Sequence, residues 1–286
     1  MSAVTTNQPL GTPTWIDLGI PDLDRAMSFY GQVFGWEFDI GPEEAGRYTM
    51  CLLRGKKVAA LMPNPDENAT DFWWNVYLAT DDVDETVARS RDAGGAVLVE
   101  PMDVMGQGRM AIMRDPSGGQ FGLWQGQAHV GCELVNEPNT LLRNDLVTPR
   151  PGPARDFYAA VFDFTLDGND DLPGMDFTFL RRPDGHEIGG IMGDPAAPAA
   201  AWGTLFQVDD ANATVAAARA AGAPRTTRRT CRTGGPRRSP TRSAPSSRWV
   251  PRFLAHRGRA SPVPRAKTLV FAPARCSMAD SVGAVQ

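Results

Sequence analysis

An internal repeat constrains this chain more than any other feature. Thr14–Phe38, TWIDLGIPDLDRAMSFYGQVFGWEF, returns 128 positions later as RNDLVTPRPGPARDFYAAVFDFTL, so that Asp17 falls on Asp145, Leu18 on Leu146, Phe29-Tyr30 on Phe157-Tyr158 and Val33-Phe34 on Val161-Phe162. The same offset sets Trp74 on Trp202, Asp81-Asp82 on Asp209-Asp210, Val87 on Val215 and Gly94 on Gly222. An offset held over about 80 positions marks a duplication. With 286 residues, the chain has the length for two ordinary domains, each able to bury its own core.

Each copy carries a legible pattern. Ile16, Leu18 and Ile20 alternate with Trp15, Asp17 and Gly19, which predicts a half-buried strand. Ala26, Phe29, Tyr30, Val33 and Phe34 then recur at helical spacing, with Asp22 or Asp24 placed to cap the helix and Gly35 to end it. Strands are expected at 48–53 and 57–61. The pattern restarts with a strand at 72–79, a helix at 82–93 stopped by Gly94-Gly95, a strand at 96–99 and a hairpin, 109–113 with 120–124, around the turn DPSGG. The first copy therefore reads as two βαβββ motifs. The second holds a third motif, from 141 to about 192, and the start of a fourth at 201–223. The expected fold is α+β, with tandem βαβββ motifs forming cupped mixed sheets and a second domain incomplete at its C-terminus. Residues 1–11 are read as a disordered leader, 12–127 as the first domain, 128–139 as a linker, 140–223 as the second domain and 224–286 as a tail.

The tail is a different kind of sequence. Residues 225–286 hold thirteen Arg and one Lys against the single acid Asp280, a net of +13, which leaves −17 on the first 224 residues of a chain whose total is −4. At the shared offset, GQGRMAIMRDPSGGQFGLWQ (106–125) should be answered at 234–253, which reads GGPRRSPTRSAPSSRWVPRF. Several prolines in a would-be central strand oppose ladder bonding, so the segment reads as disordered or as the product of a shifted reading frame. A basic tail could bind nucleic acid. That is disfavoured here, because the only aromatic side chains among its arginines that could stack on bases, up to position 260, are Trp249 and Phe253.

No apolar run approaches the roughly 18 residues of a membrane span, and the N-terminus MSAVTTNQPLG lacks the basic and apolar regions of a secretory signal. A cytoplasmic location is the expectation. The abundance of Arg over Lys, 26 to 3, points to a GC-rich bacterial gene. Cys51, Cys132, Cys231 and Cys276 show no C-x-x-C spacing, which argues against a zinc ribbon, a redox pair or a disulfide framework.

Three stretches, IPDLDRAMSFYGQVFGW, YLATDDVDETV and DPSGGQFGLWQ, together resemble the vicinal oxygen chelate superfamily, which groups glyoxalase I, bleomycin-resistance proteins and extradiol dioxygenases. The resemblance covers residues 12–223. It implies paired βαβββ motifs in a glyoxalase-like arrangement with a ligand cavity on the concave faces, and, in metal-using members, a divalent ion held by His, Gln or Glu. Carried over residue by residue, the ligand positions fall on Trp15, Asn75 and Gly122, and in the second copy on Arg143 and Gly203. None of these is a good ligand, so no metal and no other cofactor is expected. His129, His186 and His256 are read as solvent-facing or structural.

Strand alternation places Trp15 and Asp17, then Trp73, Asn75 and Tyr77, then Gln120 and Trp124 on the concave face. Three indoles and a phenol could stack on a flat ligand while Asp17, Asn75 and Gln120 orient its polar groups; equally, the aromatics could fill the cavity as core. Trp74 and Trp202 belong to the core under the helices. Asp17 and Asp145 could each act as a general base in an apolar cavity, or simply bond a neighbouring backbone group or Arg. Arg109 could face an anion or pair with an acid, and Cys51 reads as a buried thiol. The function expected is metal-independent binding of a small, aromatic organic metabolite or antibiotic, with a homodimer compatible with the pattern. The alternative is an enzyme: a lyase, isomerase, dioxygenase or hydroxylase-like oxygenase of secondary metabolism.

Overall fold

A computed structural model describes residues 2–64, 66, 71–168 and 174–223, together with the backbone of strands at 267–271, 274–275 and 282–285. In chain order the first half contains β1 (Ser2–Ala3), β2 (Pro13–Ile20), α1 (Leu23–Phe34), β3 (Glu37–Ile40), β4 (Thr49–Leu53), β5 (Lys56–Pro63), β6 (Asp71–Phe72), β7 (Trp74–Ala79), α2 (Val83–Asp92), β8 (Ala96–Val104), β9 (Gly108–Arg114) and β10 (Gln120–Gly126). The second half contains β11 (Leu134–Val135), β12 (Leu141–Thr148), α3 (Pro151–Phe162), β13 (Thr165–Gly168), β14 (Asp176–Arg181), β15 (Glu187–Gly193), β16 (Ala201–Val208), α4 (Ala211–Ala220), β17 (Lys267–Phe271), β18 (Ala274–Arg275) and β19 (Val282–Val285).

The first half forms one mixed sheet in the order β3-β4-β5-β2-β7-β10-β9-β8. β2 runs parallel to β5 and antiparallel to β7, which runs parallel to β10. The second sheet repeats the inner part as β13-β14-β15-β12-β16, and its register repeats as well: Leu18 faces Trp74 and Asp17 faces Asn75, just as Leu146 faces Trp202 and Asp145 faces Gly203. The duplication is therefore one of hydrogen-bond register, not only of sequence.

Local chemistry sets the helix ends. Asp22 caps α1 by accepting from the Arg25 backbone N–H, and Gly35 ends it at φ 68°, the left-handed conformation that favours glycine. Asp82 caps α2 and Asp210 caps α4 in the same way. The duplicated α3 has no such cap and starts instead with Pro151 in its first turn.

The helix-bearing faces of the two sheets meet through two aromatic cores. Tyr30, Phe34, Trp36 and Trp74 interleave with Phe206 of the second sheet, the rings of Phe34 and Phe206 lying 5.0 Å apart. Phe121 of the first sheet packs with Phe157, Tyr158 and Phe162 of α3 and, with Trp202, fills the other core. Trp74 and Trp202 are both buried there, as their side of the alternation requires.

Two expectations are corrected. The leader is ordered: Ser2–Ala3 pairs with Leu134–Val135, the Gly11 N–H donates to Ala79 O, and Asn7 donates to Gly126 O. Gly11 is required because a Cβ there would collide with the ring of Phe164. These contacts lie about 70 to 130 residues away in sequence, so composition alone could not show them. The edge of β16, expected to lack a last strand, is covered by β17, which runs antiparallel where the first sheet has the parallel β10. An unpaired edge offers a full row of backbone donors and acceptors to any available segment. The remaining expectations for the tail, with His256, Cys231 and Cys276, lie outside the described residues.

Candidate functional site

On the first sheet, the face opposite the helices gathers six of the residues singled out by alternation. Trp15 and Asp17 come from β2, Asn75 and Tyr77 from β7, and Gln120 and Trp124 from β10. Asp17 is 2% exposed and lies at their centre. Its Oδ1 accepts from Asn75 Nδ2 at 2.8 Å, while its Oδ2 accepts from the hydroxyls of Tyr77 at 3.0 Å and Tyr48 at 3.1 Å. Trp15 Nε1 in turn donates to the Tyr48 hydroxyl at 2.8 Å. Burial pushes the Asp17 carboxyl above its ordinary range, and the hydrogen bonds from Asn75, Tyr77 and Tyr48 pull only partly against it. Burial, followed by the adjacent Asp17 charge, raises both phenols. The arrangement can hold or exchange a proton at Asp17 and can present hydrogen bonds from half-buried Tyr48, Asn75 and Gln120.

One end of this face is closed by the segment that joins the two sheets. The His129 ring stands edge-on to Trp15 at 4.3 Å and to Trp124 at 5.5 Å, and Trp124 Nε1 donates to His129 O at 2.8 Å. His129 is 5% exposed and its Nε2 is buried without a hydrogen-bond partner. Burial, with a lesser contribution from the Lys57 charge, lowers it to about 4, so the ring is neutral at pH 7. The segment is fixed to the strand ends: Cys132 N donates to Thr14 O, Glu133 N to Lys57 O, and Lys57 N to Glu133 Oε2. At the opposite end, Met50, Met62, Asn75, Ile112 and Gln120 remain half-buried, and Trp73, just ahead of β7, is 43% exposed and is not gathered into the cluster.

The residues at the ligand positions that the resemblance implies do not fit a divalent cation. Trp15 offers an indole, and Asn75 is engaged with Asp17. Gly122 lies directly under the Tyr77 ring, which leaves no room even for a Cβ. Among the described residues, no group of three or more His, Cys, Asp or Glu is arranged to hold a metal.

On the second sheet the same positions carry charge. Asp145 Oδ1 accepts from Arg143 Nη2 at 2.6 Å and Nε at 3.0 Å, and Arg143 Nη1 donates to Glu187 at 2.6 Å. Phe177 and Phe179 lie beneath the Arg143 guanidinium at 5.9 Å. Burial raises the half-buried Asp145 carboxyl, with Arg143 acting in the opposite direction. Elsewhere, Arg109 pairs with Asp84 and Asp103, and Cys51 is fully buried with its thiol pushed up by burial.

Sequence reasoning did not single out Tyr48 or His129 for the site. Tyr48 opens the strand expected at 48–53 and lies one residue ahead of β4, but alternation within one strand does not show that its hydroxyl reaches Asp17 on β2, and His129 belongs to a connecting segment. Their rings could have been suspected only from the need of a buried carboxylate and two indoles for partners.

Comparison with known proteins places these observations in context. Residues 12–123 match the model of the Glyoxalase/Bleomycin resistance protein/Dioxygenase superfamily. A Mycobacterium bovis protein named "Putative glyoxylase CFP32" is 40% identical over 218 residues, covering 74% of this chain and 83% of its own length. The Streptomyces peucetius "Anthracycline biosynthesis protein DnrV" is 36% identical over 220 residues, covering 72% and 80%. Among solved structures, the Mn(II)-bound glyoxalase from Novosphingobium aromaticivorans aligns with TM-score 0.50 at 21% identity, over 65% of this chain and 62% of that one. The latter likeness is one of fold, and the chain spans less than two thirds of that structure's length. Among the described residues, no helix is long and apolar enough to cross a membrane.

Proposed function

The chain belongs to the glyoxalase/bleomycin resistance protein/dioxygenase superfamily, and from that premise we propose that it binds a small aromatic organic molecule on the Asp17 face of the first sheet, without a metal. The observation that carries the reading is the buried Asp17 carboxyl, whose Asn75, Tyr77 and Tyr48 partners occupy the face where family members place a metal. In this reading the buried Trp15, Tyr77 and Trp124 form the wall. Asn75 and Gln120 orient the ligand's polar groups at the open end, and Trp73 supplies an exposed aromatic rim. The name of the Streptomyces relative supports a polycyclic aromatic ligand class.

A second reading makes the site an enzyme of lyase, isomerase or oxygenase type in which Asp17 exchanges a proton with the ligand. It is favoured by the upward displacement of that carboxyl, which brings it nearer to the range of a general acid or base. Asp145 is the duplicate candidate, but its carboxylate is already engaged by Arg143. Fold kinship by itself does not choose between these chemistries.

Quenching of indole fluorescence on titration with 1,8-dihydroxyanthraquinone tests the first reading. Saturable binding that weakens by about tenfold, some 1.4 kcal/mol, in Asn75→Ala is expected. Absence of saturable binding, or an unchanged affinity in Asn75→Ala, contradicts it. Conversion of the ligand that stops in Asp17→Asn would move the assignment to the enzyme.

A further inference from the structure

The two segments that precede the two sheets are exchanged: each runs over the other sheet. Residues 129–133, which lead into the second sheet, close one end of the first with His129. Residues 2–12, which lead into the first sheet, run along the matching end of the second. There Ser2–Ala3 pairs with Leu134–Val135, and Thr12 Oγ1 accepts from Arg182 Nη1 at 2.8 Å. The outcomes differ. On the first sheet the corner is filled by Trp15, Trp124 and His129. On the second sheet Trp15 is replaced by Arg143, and by pairing register Lys57 is replaced by Glu187. The leader leaves a cavity of about 470 Å³ there.

That cavity holds a buried guanidinium with donors to spare. Arg143, Arg182 and Glu187 line it with His186 beside them, and the acids bonded to the two arginines, Asp145 and Asp184, balance their charge, so what the cavity offers an anion is free guanidinium N–H groups and not a net positive charge. Arg143 spends its fork on Asp145 and Glu187 and is neutralised by them. Arg182 has five N–H groups, of which Asp184 and Thr12 take three, leaving two; its side chain is only 10% exposed. Thr6 and Gln8 add polar groups from the leader, while Val135 and Ile188 provide an apolar wall. The geometry points to a second ligand site, distinct from the Asp17 face, that takes a small organic carboxylate, its anionic end on Arg182 and its apolar body against Val135 and Ile188.

The probe is 4-fluorobenzoate observed by fluorine NMR on the full chain, with 4-fluorobenzamide as its neutral isostere. Saturable binding of the benzoate is expected, with the amide weaker by about tenfold or more because it lacks the charge that strengthens a guanidinium contact. Arg182→Met should abolish the preference. Thr6→Trp, which fills the cavity from an exposed position in the leader, should abolish binding and leaves the paired arginines in place. Asp17→Asn should leave benzoate binding unchanged, which separates this site from the one proposed above. Equal binding of acid and amide, indifference to both Arg182→Met and Thr6→Trp, or no saturable binding of the benzoate would overturn the assignment.

Discussion

Two buried titratable groups on one face should drive stability in opposite directions with pH, and this can be measured. The His129 imidazole is lowered to about 4 in the folded chain, against 6.5 for the free side chain. Between those values the unfolded chain binds more protons, so stability falls as the pH drops. At about 1.4 kcal/mol per pH unit the whole effect is roughly 3 kcal/mol. Asp17 has the opposite sign. Its carboxyl is raised above 3.8, so its contribution is fully present below that pH and is lost as the pH rises through the folded value. In wild type the two slopes oppose each other wherever their titration ranges overlap. His129→Phe keeps an edge-on ring without a proton, and its stability relative to wild type should improve by about 3 kcal/mol from pH 7 to pH 4. Asp17→Asn should gain on wild type as the pH rises. It keeps an acceptor for Tyr48 and Tyr77, and the Asn75 amide can turn to present its oxygen to the new N–H. Asp17→Ala, by contrast, strands those donors and should cost about 2 to 4 kcal/mol. Urea unfolding followed by tryptophan fluorescence at several pH values reads all three. Difference curves flat with pH for both His129→Phe and Asp17→Asn would refute the placement of these groups.

The remaining predictions concern packing and the joint between the sheets. Gly122→Ala should lose about 1 to 3 kcal/mol in urea unfolding because of the overlying Tyr77 ring, and Tyr77→Ala should relieve most of that loss in the double variant. Asp115 in the DPSGG turn accepts from Ser117, Gly118 and Gly119 through one oxygen and from the Tyr158 hydroxyl of α3 through the other. Asp115→Ala should therefore cost about 3 to 5 kcal/mol, and Tyr158→Phe about 1 kcal/mol, by calorimetry. Trp73→Ala, at an exposed position, should change stability by no more than about 0.5 kcal/mol in the same assay.

Much of this architecture was legible because it rests on periods of two and 3.6 residues. The alternation around Asp17 places Trp15, Tyr77, Trp124 and Trp74 on the sides of the sheet where they are found, and Asp22 and Gly35 mark the ends of α1. Period is silent outside the elements. Trp73 shares parity with Asn75 and Tyr77 but lies beyond the start of β7, where the chain is free to turn it to solvent. Tyr48 stands just ahead of β4 and His129 lies in a connection, and the order of the leader depends on partners about 70 to 130 residues distant. The pairing of Asp145 with Arg143 was within reach of the sequence, since residues i and i+2 of a strand share a face.

Ligand binding on the Asp17 face should need no metal. Calorimetric titration of 1,8-dihydroxyanthraquinone into chelator-treated protein, repeated after adding Mn(II) or Fe(II), decides this. The same saturable affinity is expected in each case, weakened by Asn75→Ala. Binding that appears only with the added ion, or that is strengthened by it more than about tenfold, would mean that a metal completes this face after all and would contradict the claim.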